Sequence, residues 1–196
     1  FMTPLHSFFS LRLLLIAKCC IVAFAVQAGE VNRPHRDSLL LFVQTHADDT
    51  AKVNALIQLS MYISATSDEN LSYAQQAMGI TKKLNYRKGE ADALRVTSMG
   101  LSKKGKFHES IKLLEDAAII YREIDDQKGL GKAYNNIGSD FFTMGDYKKS
   151  LEFLLKSLQI REKLNDPKEL AASLNNIGMV YTNQKEFDLS LAYYLR

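Results

Sequence analysis

Residues 133–158 read AYNNIGSDFFTMGDYKKSLEFLLKSL. A related stretch, SLNNIGMVYTNQKEFDLSLAYYLR, occupies residues 173–196, a shift of 40 positions. The same shift aligns residues earlier in the chain, so the sequence indicates an array of three to four similar units. The aligned sets are Phe107, Tyr147 and Phe187; Ser110, Ser150 and Ser190; Leu71, Ile111, Leu151 and Leu191; Leu84, Ile124 and Leu164; and Lys88, Lys128 and Lys168.

Each unit predicts two helices joined by a tight turn. In the unit that starts at Gly131, the apolar residues Tyr134, Ile137 and Phe141 lie three and four positions apart, the spacing of one helix face. Gly145 follows this helix and suits a helix end in the left-handed conformation. The second helix carries one broad apolar face, formed by Tyr147, Leu151, Leu154, Leu155, Leu158 and Leu164.

Small residues and helix caps predict how these helices meet. Gly138 and Ser150 are expected where the two helices of a unit cross, because a bulky side chain there would force them apart. Asp166 is a candidate N-cap for the next unit, with Pro167 at the first helical position. Glu169 is placed to complete a capping box with Asp166.

These residues resemble the tetratricopeptide repeat. The predicted repeats are an atypical first one at about 49–87, then 88–127 and 128–167, and a truncated last one at 168–196. Their period of 40 rather than the usual 34 is similar to that of kinesin light chains and of bacterial sensor proteins. The motif is carried by Tyr134, Ile137, Gly138, Phe141, Gly145, Tyr147, Ser150, Leu154 and Ser157, and again by Leu174, Ile177, Gly178, Tyr181, Phe187, Ser190 and Tyr194.

The resemblance implies an all-α fold, a right-handed α-solenoid of helix-turn-helix repeats. In that family the first helices line a concave groove that binds a protein or an extended peptide. The groove residues predicted on this basis are Arg95, Met99, Lys103, Lys132, Asn135, Ser139, Phe142, Asn175, Met179 and Asn183.

Paired asparagines, at 135–136 and 175–176, stand out in the predicted first helices. A helix interior disfavours Asn, because its amide competes for the backbone, whereas an amide can bind an extended peptide. We expect Asn135 and Asn175 to face the groove, and Asn136 and Asn176 to tie neighbouring helices together. The family's clamp for chaperone tails has lysines and an arginine where this chain has asparagines, so that partner is not supported.

The first 28 residues are typical of a secretory signal. Arg12 and Lys18 precede an apolar run that ends in a small-residue pattern, with cleavage expected after Ala28. An uncleaved membrane anchor is the alternative, although Lys18 shortens the uncharged run. Residues 29–48 are interpreted as a leader or linker, and the protein is expected to be exported, either periplasmic or on the outer side of a membrane. The two cysteines, Cys19 and Cys20, lie in the apolar run, so cleavage would remove both.

Several function classes are disfavoured. The net charge of +3 comes with no basic stripe, which argues against nucleic-acid binding. The acidic turns at 125–129 and 165–169 lack the ligand spacing of a calcium loop. No glycine-rich phosphate loop or nucleophile elbow occurs. We therefore predict no catalytic residue, metal or cofactor in this segment, and the histidines at His6, His35, His46 and His108 lack the spacing of a metal site.

The last repeat stops early, which leaves Leu191, Tyr194 and Leu195 without a covering helix. We expect the sequence to be a piece of a longer protein. Exported arrays of this kind resemble the sensory front parts of bacterial sensor histidine kinases. The hypothesis is a peptide-binding, extracytoplasmic sensory part of a membrane signalling protein, whose output enzyme would lie elsewhere in the full protein. The alternative is a stand-alone exported adaptor or assembly factor.

Overall fold

A computed structural model describes residues 35–62 and 67–196, and within these ranges the secondary structure consists of helices and turns, with no strand. Contacts divide the chain into two compact units, Phe1–Gln44 and Thr45–Arg196. Helix α1, at residues 35–45, covers the described part of the first unit and falls within the predicted leader. The predicted signal at 1–28 lies outside the described residues.

The second unit is a series of helical hairpins. Each hairpin joins an even-numbered helix to the odd-numbered helix that follows it. The predicted all-α array of helix-turn-helix repeats is therefore confirmed. The helices are α2 (Thr50–Ser60), α3 (Ser67–Leu84), α4 (Arg87–Lys103), α5 (Phe107–Glu123), α6 (Gln127–Thr143), α7 (Tyr147–Leu164), α8 (Pro167–Asn183) and α9 (Phe187–Leu195).

The hairpins stack in chain order. Each helix from α2 onward packs against the next, and in addition α2 contacts α4, α4 contacts α6 and α6 contacts α8. The odd-numbered helices make no equivalent contacts among the described residues. Because the even-numbered helices lie closer together, their side of the stack is the concave one. We call the surface of α4, α6 and α8 on this side the concave face.

The turns repeat with half the period of the sequence. A residue with positive φ recurs every 20 positions in the second unit. Gly145, with φ of 81°, ends α6 in the left-handed conformation as predicted. At the equivalent position of the last hairpin Lys185 adopts φ of 64°, a conformation that a side chain disfavours. The full set is Asn85, Gly105, Asp125, Gly145, Asn165 and Lys185.

The predicted crossing of α6 and α7 is confirmed. A Cβ added at Gly138 would lie 2.7 Å from Leu154 Cγ and 3.1 Å from the backbone oxygen of Ser150. The hydroxyl of Ser150 also donates to the Gly138 carbonyl at 2.8 Å. The last hairpin repeats this bond, since Ser190 donates to the Gly178 carbonyl at 3.0 Å.

The predicted start of α8 is confirmed only in part. Asp166 is the N-cap, its carboxylate accepts from the backbone N–H of Glu169 at 3.3 Å, and Pro167 opens the helix. The predicted capping box is wrong in its second half. The carboxylate of Glu169 lies 2.8 Å from the guanidinium of Arg161 on the preceding helix. A buried cation nearby attracts this carboxylate more strongly than the exposed backbone of the cap.

The apolar core is segmented along the stack. One buried cluster joins α4, α5 and α6 and contains Leu114, Tyr121 and Ile137. A second cluster joins α7 and α8 and contains Leu154 and Ile177. Each hairpin thus depends on its neighbours for burial, which is the arrangement of a repeat array.

Candidate functional site

All ten residues predicted for the groove lie on α4, α6 and α8, the helices of the concave face. Positions 95, 135 and 175 are equivalent in successive repeats, as are 99, 139 and 179. A face that repeats every 40 residues presents side chains in parallel rows across the stack. The rows differ in burial and in hydrogen bonding, and these differences decide what each position offers to a ligand.

On α4, Arg95 is largely buried. Its side chain is only 8% exposed, and its guanidinium lies 3.6 Å from the sulfur of Met99 and 3.8 Å from that of Met61. Asp92 Oδ1 is 3.9 Å away. Arg95 Nε has no partner among the described residues. Arg95 therefore offers little surface, whereas Lys103, one helical turn beyond Met99, is exposed.

On α6, the predicted residues differ in exposure. Ser139 is exposed, while Lys132 and Phe142 are half-buried. Lys132 Nζ lies 3.7 Å from Glu169 Oε1 on α8. The ring of Phe142 lies 5.8 Å from that of Tyr147, so Phe142 contributes to the packing of its own hairpin. Ser139 is the member of this group that is most accessible to a ligand.

On α8, the predicted residues are the most accessible of the set. Asn175 and Asn183 are exposed, and Met179 is 44% exposed although it is a large apolar side chain. The amide of Asn183 donates to the Met179 carbonyl at 2.9 Å, within its own helix. Asn175 and Met179 lie four residues apart on one helix face and form a polar and apolar pair at the surface.

The asparagine pairs follow the prediction in one case and depart from it in another. Asn176 donates to Asn135 Oδ1 at 3.0 Å, so the predicted tie between helices is confirmed for Asn176. The partner is Asn135, whose side chain was expected to serve the groove. Asn136 makes no side-chain hydrogen bond in the described part of the chain, so the same tie is not found there. Asn135 is predicted to bind a ligand in the groove, but its amide oxygen already accepts a hydrogen bond from Asn176 in the next repeat.

Arg161 is the residue at this junction that the sequence reasoning missed. It is 4% exposed, and its guanidinium donates to the Glu169 carbonyl and to Ser173 Oγ, each at 2.8 Å, besides pairing with the Glu169 carboxylate. It also lies 3.4 Å from Asn135 Oδ1. Burial lowers the pKa of Arg161 from its ordinary value, and the Glu169 carboxylate acts against this change. Arg161 thus holds α6, α7 and α8 in register beneath the concave face.

A second polar cluster missed by the sequence reasoning surrounds Asp140. This carboxylate is 5% exposed and accepts from Ser110 Oγ at 2.5 Å and from Ser102 Oγ at 2.7 Å. Burial raises the pKa of Asp140, and the two hydroxyl bonds act in the opposite direction. The three residues come from α6, α5 and α4, so the cluster joins consecutive helices. The sequence feature that could have revealed this cluster is the acidic residue at position 140, because the equivalent residues in the neighbouring repeats are Gly100 and Val180.

The described residues contain no group of three or more His, Cys, Asp or Glu side chains arranged to hold a metal ion. Among the same residues, no helix is both long enough and apolar enough to cross a bilayer. The exposed side chains among the ten predicted residues supply amides, a hydroxyl, a thioether and an ammonium group.

A sequence profile of the tetratricopeptide repeat matches residues 99–163, and a second tetratricopeptide profile matches residues 170–196. The chain carries tetratricopeptide repeats. The first match runs from the end of α4 through most of α7, and the second covers most of α8 and all of α9. The helical hairpins and the tetratricopeptide matches therefore describe the same units. No curated protein sequence matches the chain.

Several solved structures share the fold. BtubC from P. vanneervenii is 18% identical over 92% of this chain and 77% of its own, with a TM-score of 0.66. A Rap protein in complex with competence and sporulation factor is 17% identical, with a TM-score of 0.72 over 85% of this chain and 50% of its own.

A third structure is a signal transduction ATPase with a tetratricopeptide repeat sensor, from Pyrococcus horikoshii. It is 19% identical, with a TM-score of 0.66 over 84% of this chain and 26% of its own. The chain thus spans half or less of the length of the last two proteins. At these identities the likeness concerns the fold, a right-handed α-solenoid.

Proposed function

We propose that the tetratricopeptide array is a protein-binding scaffold that holds an extended segment of a partner along the concave face. The observation that carries this proposal is the exposed pair of Asn175 and Met179 on α8. Met179 is a large apolar side chain that is 44% exposed on this helix, so part of its thioether is accessible to a ligand. Ser139 extends the row of Met179 onto α6, and Lys103, the equivalent of Asn183, is exposed on α4.

The chemistry of these side chains suits a peptide backbone. The amide of Asn175 can donate to a carbonyl and accept from an N–H of an extended chain, whatever its side chains are. Met179 is flexible and polarizable and adapts to apolar side chains of different shape. The Rap protein solved with competence and sporulation factor provides a precedent for a bound factor on this fold.

We also propose a cellular location and a role in signalling for the scaffold. The array is the extracytoplasmic sensory part of a membrane signalling protein such as a sensor histidine kinase. The support is the signal-like sequence at residues 1–28 and the use of a tetratricopeptide repeat as a sensor in the protein from Pyrococcus horikoshii. The same signal-like sequence also fits the second candidate, a stand-alone exported adaptor.

Binding is tested by selecting from a displayed library of random decapeptides and measuring the affinity of enriched peptides by fluorescence anisotropy. The double variant Asn175→Ala/Met179→Ala should weaken binding at least tenfold, about 1.4 kcal/mol. The matched control is Gln159→Ala, which removes an exposed amide from α7, outside the concave face. Failure to enrich any peptide, or equal affinity of the double variant and the wild type, would overturn the proposal.

Export is tested separately with alkaline phosphatase fused after Arg196, because this enzyme is active only after export. The fusion should be active, and deletion of residues 2–28 should reduce the activity to background. Activity that survives the deletion would contradict an export role for this segment. Sequence from beyond codon 196 then separates the two candidates, since a membrane helix with an output domain indicates the sensor and a stop codon indicates the adaptor.

A further inference from the structure

A cavity of about 440 Å³ opens on α3, α4 and α5, away from the proposed ligand residues of the concave face. Its apolar wall includes Met78, Leu94 and Ile119, and its polar residues include Lys82 and Asp116. The volume lies within the range of small-molecule and side-chain pockets, roughly 300–1,000 Å³. Ile119 is 49% exposed at this cavity, whereas its equivalent in the next repeat is the polar residue Gln159.

The next repeat shows which group occupies such a space. The residue equivalent to Leu94 is Tyr134, whose ring packs beside Phe153 at 5.9 Å and against the core cluster of α4, α5 and α6. The hydroxyl of Tyr134 accepts from the guanidinium of Arg122 at 3.3 Å. Arg122 is the equivalent of Lys82. A smaller leucine at position 94 leaves unfilled the volume that a phenol ring occupies one repeat later.

The charged residues of the cavity are available to a partner. Lys82 and Asp116 make no hydrogen bond or ion pair in the part of the chain that the structure describes, and Lys82 is exposed. Glu90, which also lines the cavity, is paired with Arg87 at 2.7 Å. Lys82 can donate to a phenol oxygen, as Arg122 does. Asp116 can accept from a basic residue next to that phenol in the partner.

We propose that this cavity is a second docking site, which receives a tyrosine side chain, flanked by a basic residue, from a partner protein. The array itself provides the template, because it fills the equivalent space of the next repeat with Tyr134 and Arg122. The site is separate from the proposed peptide groove and does not depend on it. A docked ring would cover Ile119 and Leu94 and place its oxygen at Lys82.

The test uses the full chain with methyl-labelled methionines and p-cresol as the tyrosine side-chain probe. The Met78 methyl resonance should shift and saturate, while the Met144 and Met179 resonances stay in place. Toluene lacks the hydroxyl and should bind at least threefold more weakly. In the dipeptide comparison, acetyl-Tyr-Arg-amide should bind more tightly than acetyl-Tyr-Glu-amide, and Asp116→Asn should remove that preference.

Leu94→Tyr should fill the cavity, raise the melting temperature and weaken p-cresol binding at least tenfold. If this variant does not fold, Lys82→Met serves instead and should bring p-cresol and toluene to equal affinity. Unaltered p-cresol binding by the variant that is used would overturn the proposal. So would a non-saturating shift shared by Met78 and Met179. A Met78 shift that depends on protein concentration without any probe would assign the cavity to a second copy of this chain instead.

Discussion

Two junctions between repeats share a turn residue with positive φ, Asp125 in one and Asn165 in the other, and differ in chemistry. Where the second repeat meets the third, Tyr121 is fully buried, and a Cβ added at Gly129 would lie 2.3 Å from its ring. Where the third meets the fourth, the equivalent residues are Arg161 and Glu169, which form an ion pair at 2.8 Å. An aromatic ring above a glycine in one junction is thus replaced in the other by an ion pair between a buried arginine and a half-buried glutamate.

Between these two junctions both positions of the pair differ. A side chain at position 129 has no space while Tyr121 is present, and Arg161 would be a buried cation without Glu169. The Tyr121 hydroxyl donates to Asp92 at 2.7 Å, and burial raises the pKa of Tyr121. The array therefore tolerates different chemistry at one site provided that the partner position fits it.

The largest change in stability is expected when the residues of the Tyr121 junction are replaced by those of the Arg161 junction. Gly129→Glu and Tyr121→Arg should each destabilise the fold by about 3 kcal/mol, through overpacking and through the loss of a buried ring. The double variant should be less destabilised than the sum by about 1–3 kcal/mol, because the introduced charges pair. Urea unfolding of the four proteins measures this coupling, and strict additivity would show that the junctions are not interchangeable.

The ion-pair junction is tested by Arg161→Ala, which should cost about 3 kcal/mol because it leaves Glu169 and Ser173 without their buried donor. Lys132→Ala is the control. Lys132 Nζ lies 3.7 Å from the same Glu169 carboxylate, and the lysine side chain is partly exposed. Its removal should therefore change the free energy of unfolding by less than about 0.5 kcal/mol. Similar losses in both variants, measured by urea unfolding, would contradict the assigned role of Arg161.

The crossing within a hairpin depends on the close approach of its two helices at Gly138. Gly138→Leu should destabilise the array by about 1–3 kcal/mol, because its Cβ would already overlap with Leu154. Gly79→Ala is the comparison, since a Cβ there meets nothing within 4 Å and removes a glycine from a helix interior. In thermal unfolding, the melting temperature should fall for Gly138→Leu and should not fall for Gly79→Ala. An unchanged melting temperature of Gly138→Leu would place the crossing elsewhere.

Because the carboxylate of Asp140 is buried, we expect the stability of the fold to depend on pH. Burial raises the pKa of Asp140 in the folded state, so the folded protein holds this proton more tightly than the unfolded chain. Its contribution to stability is fully present below the ordinary carboxyl pKa of about 4 and is lost as the pH rises through the raised value. Relative to Asp140→Asn, the wild type should gain stability on acidification from pH 7 to 4. Parallel stability curves for the two proteins would rule this out.

The smallest change in stability is expected at Lys185, in the turn between α8 and α9. Lys185 adopts the left-handed conformation that Gly145 has in the preceding hairpin. Lys185→Gly should therefore stabilise the array, by about 1 kcal/mol, by relieving that backbone conformation. Gly145→Lys should have the opposite sign. A melting temperature that falls for Lys185→Gly would mean that the lysine side chain contributes more than the strain costs.

The sequence was sufficient for the hairpins, the Gly138 crossing and the Gly145 turn because each depends on residues close in the chain and recurs every 40 positions. Arg161 and Asp140 were not predicted. Their partners lie up to 38 residues away, and whether the side chains meet depends on packing between helices. The concerted change from Tyr121 and Gly129 to Arg161 and Glu169 was visible in the aligned repeats and could have indicated the ion pair.

The methyl spectrum of the methionines shows whether the concave face binds an extended segment. Met99 and Met179 lie on α4 and α8 of the concave face, Met78 lines the separate cavity and Met144 follows α6. Addition of a selected decapeptide should shift Met99 and Met179 and leave Met78 and Met144 unchanged. A shift of Met78 or Met144 alone would contradict binding at the concave face, because the peptide would then bind elsewhere on the array.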